Sequence, residues 1–428
     1  MTHIVLREHE YLTIGNRQKS GVSITEKQAN ILRKIEHNLP KATLSWGYKR
    51  VKFAQYCGVI NLGSTSIEIL PKIFSSDSSA DADRQILIKM LYTAQNLSSK
   101  SHSSASISLQ KHHLLDIFIK QFCTLLFEQI HQGIIKVYIT REENLSVLRG
   151  RMLMPQHLRS NIAHQEKVYC AYDELQEDNE YNWAIKATLN ILFKIAKNNR
   201  IKQQIAELLS IFSNVTNVLV TVQMVESLKI DRAVSRYASI FNMCKWFVQG
   251  HSPDISVGNE SSLSLLFDMN KLFESFIAYV LKKTVQPFNL ILREQGPQKY
   301  IAEEISSSKN VFLMKPDITL LNKSGKPVVI LDAKWKILDS DDNKRGVNQS
   351  DIYQLLAYAQ QYKCNTVVLI YPYTSDAGDI STIFQTKEGD INVHVWNIDL
   401  SDLSSRNKRK IDEQLRLKLS SVLDRSNI

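Results

Sequence analysis

The 428-residue, 49.1 kDa chain is close to three times the roughly 150-residue length of a typical domain, which predicts two or three domains, each able to bury a core. With 43% hydrophobic and 22% charged residues it has the composition of a soluble globular protein, which excludes a disordered, fibrous or disulfide-stapled chain. Fifty-three Lys and Arg against 43 Asp and Glu leave a net charge of +10 and a pI near 9.1, favouring a polyanionic partner such as nucleic acid.

The start, Met1-Thr-His-Ile-Val-Leu-Arg-Glu-His-Glu10, lacks the charged-then-apolar order of a signal peptide, and no run of 18 to 20 apolar residues occurs. A cytoplasmic location is expected. The five cysteines are odd in number, far apart and without C-x-x-C spacing, so neither disulfides nor a structural zinc is expected. His112 and His113 have no Cys or His at ligand spacing and read as helix-start or surface residues.

Along the chain, residues 1 to about 74 read as mostly β. They end in a hairpin whose alternating runs, Gly58 to Leu62 and Ser66 to Ile73, flank a Gly-Ser turn. Serine-rich stretches at 75–79 and 98–104 bracket a short helix from Arg84 to Asn96 and predict a flexible boundary. From Leu109 to about Gln249 the pattern is largely helical, with Leu114, Leu115, Phe118, Phe122, Leu125 and Leu126 recurring at helical intervals. His251 to Glu260 reads as a second linker. Beyond it come a helix from Ser264 to Lys283, strands at Phe288–Arg293, Val311–Leu321 and Val328–Trp335, a helix from about Asp351 to Tyr362, and strands at Thr366–Tyr371 and Asn392–Trp396. This α-β-β-β-α-β order belongs to a mixed sheet flanked by helices, so the fold class is α+β and multidomain: β-rich 1–108, helical 109–250, and an α/β domain over 262–428.

The last of these domains carries the informative pattern. Period-2 geometry puts Asp332 and Lys334 on one face of the third strand, with Val329, Leu331 and Ala333 on the other. A charged pair in so apolar a run is costly to bury unless it is paired or binds something. Asp317, directly after Pro316 on the preceding strand, brings a second carboxylate beside Asp332. Two carboxylates with few other ligands suit Mg²⁺, which keeps several waters for substrate phosphate, and Lys334 is placed to orient or deprotonate an attacking water and offset phosphate charge. An acid-x-Lys triplet alone means little, since Asp342-Asn343-Lys344 supplies another in a polar loop; a structural salt bridge is the competing reading of the whole set. On the following helix Ile352, Leu355, Leu356 and Ala359 form the predicted core face, leaving Asp351, Gln354 and Tyr358 as a stripe that reaches either the site and DNA or only solvent. Glu274, at the edge of an apolar helix stripe, is a candidate third metal-site acid, as are Glu294, Glu303 and Glu304.

The Pro316-Asp317 and Asp332-Ala-Lys334 set resembles the PD-(D/E)xK nuclease superfamily pattern, in the form found in the McrC family, the nuclease subunits of McrBC-type modification-dependent restriction systems specific for 5-methylcytosine. The stretches Gly58 to Ile60 and Ile67 to Ile73, Leu148-Arg-Gly-Arg151, Tyr172-Asp-Glu174 with Asp178-Asn179, and Phe267 to Glu274 also resemble segments of that family, and Gln354-Leu-Leu-Ala-Tyr358 resembles the Q-x-x-x-Y element of related nucleases. The resemblance implies that Asp317 and Asp332, with Glu274, hold Mg²⁺ (Mn²⁺ as a substitute), that Lys334 assists the water and that Gln354 lies beside them. It also implies double-stranded, methylated DNA as substrate and an McrB-like AAA+ GTPase hexamer as partner. That hexamer would bind the GTP and be stimulated by a docking N-terminal domain. This sequence has no G-x-x-x-x-G-K-[ST] loop of its own, and Lys49, Arg50 and Lys52 are docking candidates within its first domain. Two other readings stay open: a non-catalytic adaptor that activates the ring, and a stand-alone DNA repair nuclease.

Overall fold

The computed structural model describes residues 2–15, 22–62, 65–72, 79–95, 113–164, 166–257, 260–338, 346–373, 381–387, 389–403 and 409–425. The chain divides into two compact units: residues 1–60, 65–112 and 266–428 form the first, and 61–64 with 113–265 form the second. The serine-rich stretches at 75–79 and 98–104 fall almost wholly outside the described residues, as does the Asp342-Asn343-Lys344 loop.

In the first unit, strands β1 (Thr2–Arg7), β2 (Tyr11–Ile14) and β3 (Ser23–Ile24) lead to helix α1 (Glu26–Ile35), followed by β4 (Leu44–Gly47), β5 (Arg50–Phe53), β6 (Tyr56–Asn61) and β7 (Thr65–Leu70). Strands β2 to β5 form a sheet in the order β3-β2-β5-β4, while β1 runs parallel to β7, its hairpin partner β6 lying on the other side. Helix α1 has no counterpart among the predicted elements, although Thr25 and Gln28 close a reciprocal capping box at its start, a signature visible in the sequence as Thr-x-x-Gln. Helix α2 (Ala80–Ala94) begins four residues before the predicted Arg84, capped by the Ser79 side chain on the Ala82 N–H.

The second unit is less helical than predicted. Helices α3 (Leu114–Ile130), α4 (Met154–Ser160), α5 (Glu180–Ile195), α6 (Asn199–Ile211), α7 (Val222–Ser227) and α8 (Ala238–Gly250) are interrupted by an antiparallel sheet of β8 (Val137–Leu145), β9 (Arg151–Met152) and β10 (Val168–Gln176) in the order β8-β10-β9. Strand β8 is polar and mostly exposed, so it carries no apolar alternation to reveal it. The helices bury Phe118, Phe122, Leu189, Tyr237 and Phe247, with Phe122 edge-on to Phe247 at 5.8 Å. The predicted linker at 251–260 is instead a strand, β11 (His251–Val257), pairing antiparallel with β12 (Glu260–Asp268). The first residues of the predicted Ser264–Lys283 helix belong to β12. There Ser262-Leu263-Ser264-Leu265 alternates with period 2, Leu263 and Leu265 being buried, and Asp268 then caps helix α9 (Met269–Thr284) by accepting the Asn270 N–H.

From α9 onward the chain builds a six-stranded mixed sheet from β13 (Ile291–Glu294), β16 (Ile318–Leu321), β17 (Pro327–Ala333), β18 (Thr366–Pro372), β19 (Ser381–Gln385) and β20 (Asn392–Ile398), in the order β13-β16-β17-β18-β20-β19. The predicted single strand Val311–Leu321 is two. Pro316 lacks an N–H and disfavours continuation, so β15 (Lys309–Met314) turns away to pair with β14 (Lys299–Glu304) as a separate hairpin, and β16 starts after the break. Strands β17 and β18 are parallel and need a crossover, supplied by α10 (Gln349–Tyr362). Helix α10 ends at Lys363, which takes the left-handed conformation at φ +52°. Helices α9 and α10 pack on β17, and α11 (Arg409–Arg425) packs on β20. Among the described residues no helix is long and apolar enough to cross a membrane, and the five cysteines are buried and unpaired.

Candidate active site

Strand β17 is apolar because it is central: Val328 to Leu331 are buried between β16 and β18. Its last turns of pleat bring Asp332 into the sheet, 1% exposed, and Lys334 just beyond, with the Lys334 N–H still donating to the Ile370 carbonyl of β18 at 2.8 Å. Antiparallel pairing of Ile318 with Leu331 sets Asp317, one residue earlier, across from Asp332, and the Ala333 N–H donates to Asp317 Oδ2 at 3.2 Å. The predicted pair of carboxylates is therefore brought together by sheet register.

Lys334 Nζ lies 2.7 Å from Asp332 Oδ2 and 3.5 Å from Gln354 Oε1, and Gln354 Nε2 donates to the Tyr358 hydroxyl one turn along α10 at 3.0 Å. Gln354 is the exposed member of that stripe. Tyr358 is a correction to the predicted helix faces: its ring is buried in the core with Leu355, Ala359 and Tyr362, and only its hydroxyl turns to the site. Asp351 is likewise buried and pairs with Lys336 at 3.0 Å, whereas Ile352 and Leu356, predicted in the core, are only partly covered. From α9, Glu274 completes the cluster. Gln295, which no motif singles out, ties it in: its side-chain amide donates to Glu274 Oε1 and its backbone N–H to the Asp317 carbonyl at 2.8 Å. Its only sequence signal is its place directly after β13. The other candidate acids do not converge on Asp332; Glu294 is exposed, and Glu303 and Glu304 point into solvent from the separate β14–β15 hairpin.

Three carboxylates against one ammonium make the pocket electrostatically unbalanced. Burial pushes Asp317 well above the ordinary carboxylate range, and the charges of Asp332 and Glu274 push the same way. Burial also raises Asp332, against the pull of Lys334, and raises Glu274, against its hydrogen bond from Gln295. Burial works against the Lys334 charge, but Asp332, Asp317 and Asp351 hold its pKa above the usual lysine value. Among the described residues no group of three or more His, Cys, Asp or Glu is gathered tightly enough to grip a metal as it stands. The donor set nevertheless fits a hard divalent cation: Asp332 Oδ1 is buried without a hydrogen-bond donor, the facing acids are oxygen ligands, and a cation would offset the negative charge that burial disfavours there.

The docking candidates lie on the β4–β5 hairpin and its turn. Arg50 stacks over the Tyr11 ring at 4.3 Å with Lys52 at 5.6 Å from the same ring, and Lys49, at φ +48°, lies 5.8 Å from the ring of exposed Tyr48.

Comparison with known proteins finds relatives of this chain. The chain is 24% identical over 284 residues to the type IV methyl-directed restriction enzyme EcoKMcrBC of Escherichia coli K12, a span covering 62% of this chain and 78% of that protein. Its fold matches a chain in the refined half-complex from a tetradecameric assembly of Thermococcus gammatolerans McrB AAA+ hexamers with bound McrC, with a TM-score of 0.70 and 20% identity over 98% of this chain and 100% of that one. A second structure, of the Thermococcus gammatolerans McrBC complex, matches with a TM-score of 0.53 and 20% identity over 66% of this chain and 88% of the other. The sequence profile of the McrBC 5-methylcytosine restriction system component family matches residues 51–372, three quarters of the chain, and the chain belongs to that family.

Proposed function

We propose that this chain is the Mg²⁺-dependent DNA endonuclease subunit of a GTP-driven restriction complex directed at methylated DNA, built on a PD-(D/E)xK core. The observation that carries the reading is the convergence of Glu274, Asp317, Asp332 and Lys334 at the C-terminal end of the central strand β17, with one carboxylate oxygen buried and unbonded. Asp317 and Asp332 would hold Mg²⁺, with Glu274 beside them. Mg²⁺, when bound, supplies positive charge at the scissile phosphodiester and lowers the pKa of water. Lys334, held by Asp332 and steadied by Gln354, orients the attacking water and offsets the charge that builds on the phosphate. Gln354, exposed at the rim, is the side chain best placed to touch the DNA backbone. The net charge of +10 favours DNA association in general without selecting sequence.

The E. coli relative is described as methyl-directed, and the archaeal McrC is bound to McrB AAA+ hexamers. By that likeness the partner of this chain is a ring-forming AAA+ GTPase that binds the GTP, and the target base is 5-methylcytosine. Cleavage of methylated and unmethylated plasmid, with and without the co-expressed ring partner, Mg²⁺ and GTP, is the direct test. Cutting that requires partner, GTP and methylation is the expected result. Cutting by the chain alone would mark a stand-alone nuclease, and no cutting with intact stimulation of the partner GTPase would mark an adaptor.

The docking reading of Lys49, Arg50 and Lys52 has its own check. These side chains are on the surface and their ring contacts are worth about 0.5–1 kcal/mol each. Arg50→Ala should therefore shift the melting temperature by only about 2 °C. GTPase stimulation of the partner should fall severalfold; unchanged stimulation by the triple alanine variant would place docking elsewhere.

A further inference from the structure

Glu8, at the turn between β1 and β2, is 3% exposed, and its Oε1 accepts two hydrogen bonds, from the Lys72 backbone N–H at 2.9 Å and from the Trp335 indole N–H at 2.8 Å. The second bond joins residues 327 positions apart and connects the N-terminal segment to the strand that carries Asp332 and Lys334. Trp335 directly follows Lys334 and is 8% exposed; its ring stands edge-on to Phe273 at 5.4 Å, the residue before Glu274. One indole therefore touches the supports of both the lysine and the third acid. Beyond Ala333 the strand has left its ladder except for the single Lys334 N–H bond to Ile370, and Lys336 folds back onto the Lys334 carbonyl. At this exit Lys334 is held by Asp332 and Gln354, Lys336 by Asp351, and the Trp335 indole by Glu8 and the Phe273 ring. A cavity of about 280 Å³ lies beside this bond, with Glu8, Lys72, Trp335 and Lys336 in its lining, so the hydrogen bond is buried at the wall of a cavity. Arg7, the neighbour of Glu8, is ion-paired to buried Asp83 at 2.9 Å, which anchors this end of β1.

We propose that Glu8 is a positioning residue for the nuclease centre, fixing Lys334 through the Glu8 carboxyl to Trp335 indole hydrogen bond and so making cleavage depend on the seating of the N-terminal segment. The proposal rests on the endonuclease reading above. A misplacement of the order of 1 Å at a reacting group costs up to about a hundredfold in rate, so partial release of Lys334 should cost roughly tenfold.

The experiment measures kcat and KM for plasmid cleavage by the assembled complex carrying Glu8→Ala, Glu8→Gln, Trp335→Phe, or Glu8→Ala with Trp335→Phe. Glu8→Ala and Trp335→Phe should each lower kcat roughly tenfold with KM for DNA within about twofold, and the double variant should be no worse than either single one. Glu8→Gln keeps the accepting oxygen and should restore most of kcat. Trp335→Phe keeps the ring against Phe273, so the test survives if Glu8→Ala folds poorly. Folded variants with wild-type kcat, effects that multiply in the double variant, or a Glu8→Gln no better than Glu8→Ala would overturn the proposal. A wild-type complex that does not cut under any condition would instead overturn the endonuclease reading, which keeps the two failures apart.

Discussion

Asp332→Asn should abolish DNA cleavage by the assembled complex while leaving the fold intact and, without divalent cation, slightly more stable. Asp332 is the acid closest to both Lys334 and the facing Asp317, and the only one of the three whose carboxylate has a buried oxygen with no donor. On the proposed reading, losing its charge removes a ligand for Mg²⁺ and the anchor of the lysine at once. Removing one preorganised electrostatic contact at a reacting centre typically costs about 10²–10³ in rate, so a double loss should exceed about a thousandfold. Stability moves the other way. Because the folded-state pKa values of Asp317, Asp332 and Glu274 lie above their ordinary values, the folded protein binds more protons than the unfolded chain near neutrality, and stability falls as the pH rises from the usual carboxylate range through those raised values. Asn at 332 relieves that repulsion. The melting temperature at pH 8 in EDTA should rise by about 2–4 °C, and the stabilisation that Mg²⁺ gives the wild type should disappear. GTPase stimulation of the partner should be unchanged, since the substitution lies in the cutting centre. Full cleavage by Asp332→Asn would remove this carboxylate from the mechanism, and an undiminished Mg²⁺ shift would place the cation elsewhere.

How much of this was legible in the sequence follows from where the physical constraint is local. Val328 to Lys334 announces itself, because a buried strand must be apolar and two charges at period 2 stand out against it. Asp317 is legible for the same reason, its proline marking the strand entry, and Gln354 by helical spacing, which however set Tyr358 off the core face that its ring occupies. Gln295 is not. Its role comes from a side chain reaching Glu274 on α9, and no spacing in the sequence records that contact. Glu8 is further out of reach, since a hydrogen bond across 327 positions leaves no periodic trace. The middle sheet was missed because β8 is charged and exposed, and helical periodicity in α3, α5 and α8 dominated the reading around it. The 264–268 error arose differently. Apolar residues shared between a period-2 strand and the helix that follows it fit both patterns, and only the Asp268 cap divides them.

Arg84→Met should be the most destabilising single change in the N-terminal part of the first unit, at about 3–5 kcal/mol, and should lower the melting temperature by roughly 10 °C. Strand β7 alternates apolar and polar residues in sequence, yet all six of its residues are buried, Glu68 among them at 0% exposure. A carboxylate there persists only because of its partners. Burial pulls its pKa upward, but Arg84 donates to both oxygens, at 2.7 and 2.9 Å, and His3 lies 3.0 Å from one of them; together they carry it down to about 2. Because the folded value lies below the ordinary 4.5, the pair's contribution is complete above about pH 4.5 and is lost as the pH falls through about 2. Methionine fills much of the arginine's volume and leaves the carboxylate buried with His3 alone, so Glu68 must take a proton or the strand must open. Glu68→Leu combined with Arg84→Met removes both charges and should recover most of the loss, as buried ion pairs replaced by apolar groups of similar size are often neutral. Urea unfolding of the single and double variants at pH 7 and pH 4 measures this. The Arg84→Met deficit should be smaller at the lower pH, where protonating the stranded carboxylate costs less; a deficit independent of pH, or a double variant no more stable than the single, would show that packing rather than the buried charge governs this site. Because β7 pairs with β1, and β1 ends at Arg7 next to the Glu8 that accepts the Trp335 N–H, the same variant should also cut DNA more slowly at temperatures well below its melting point.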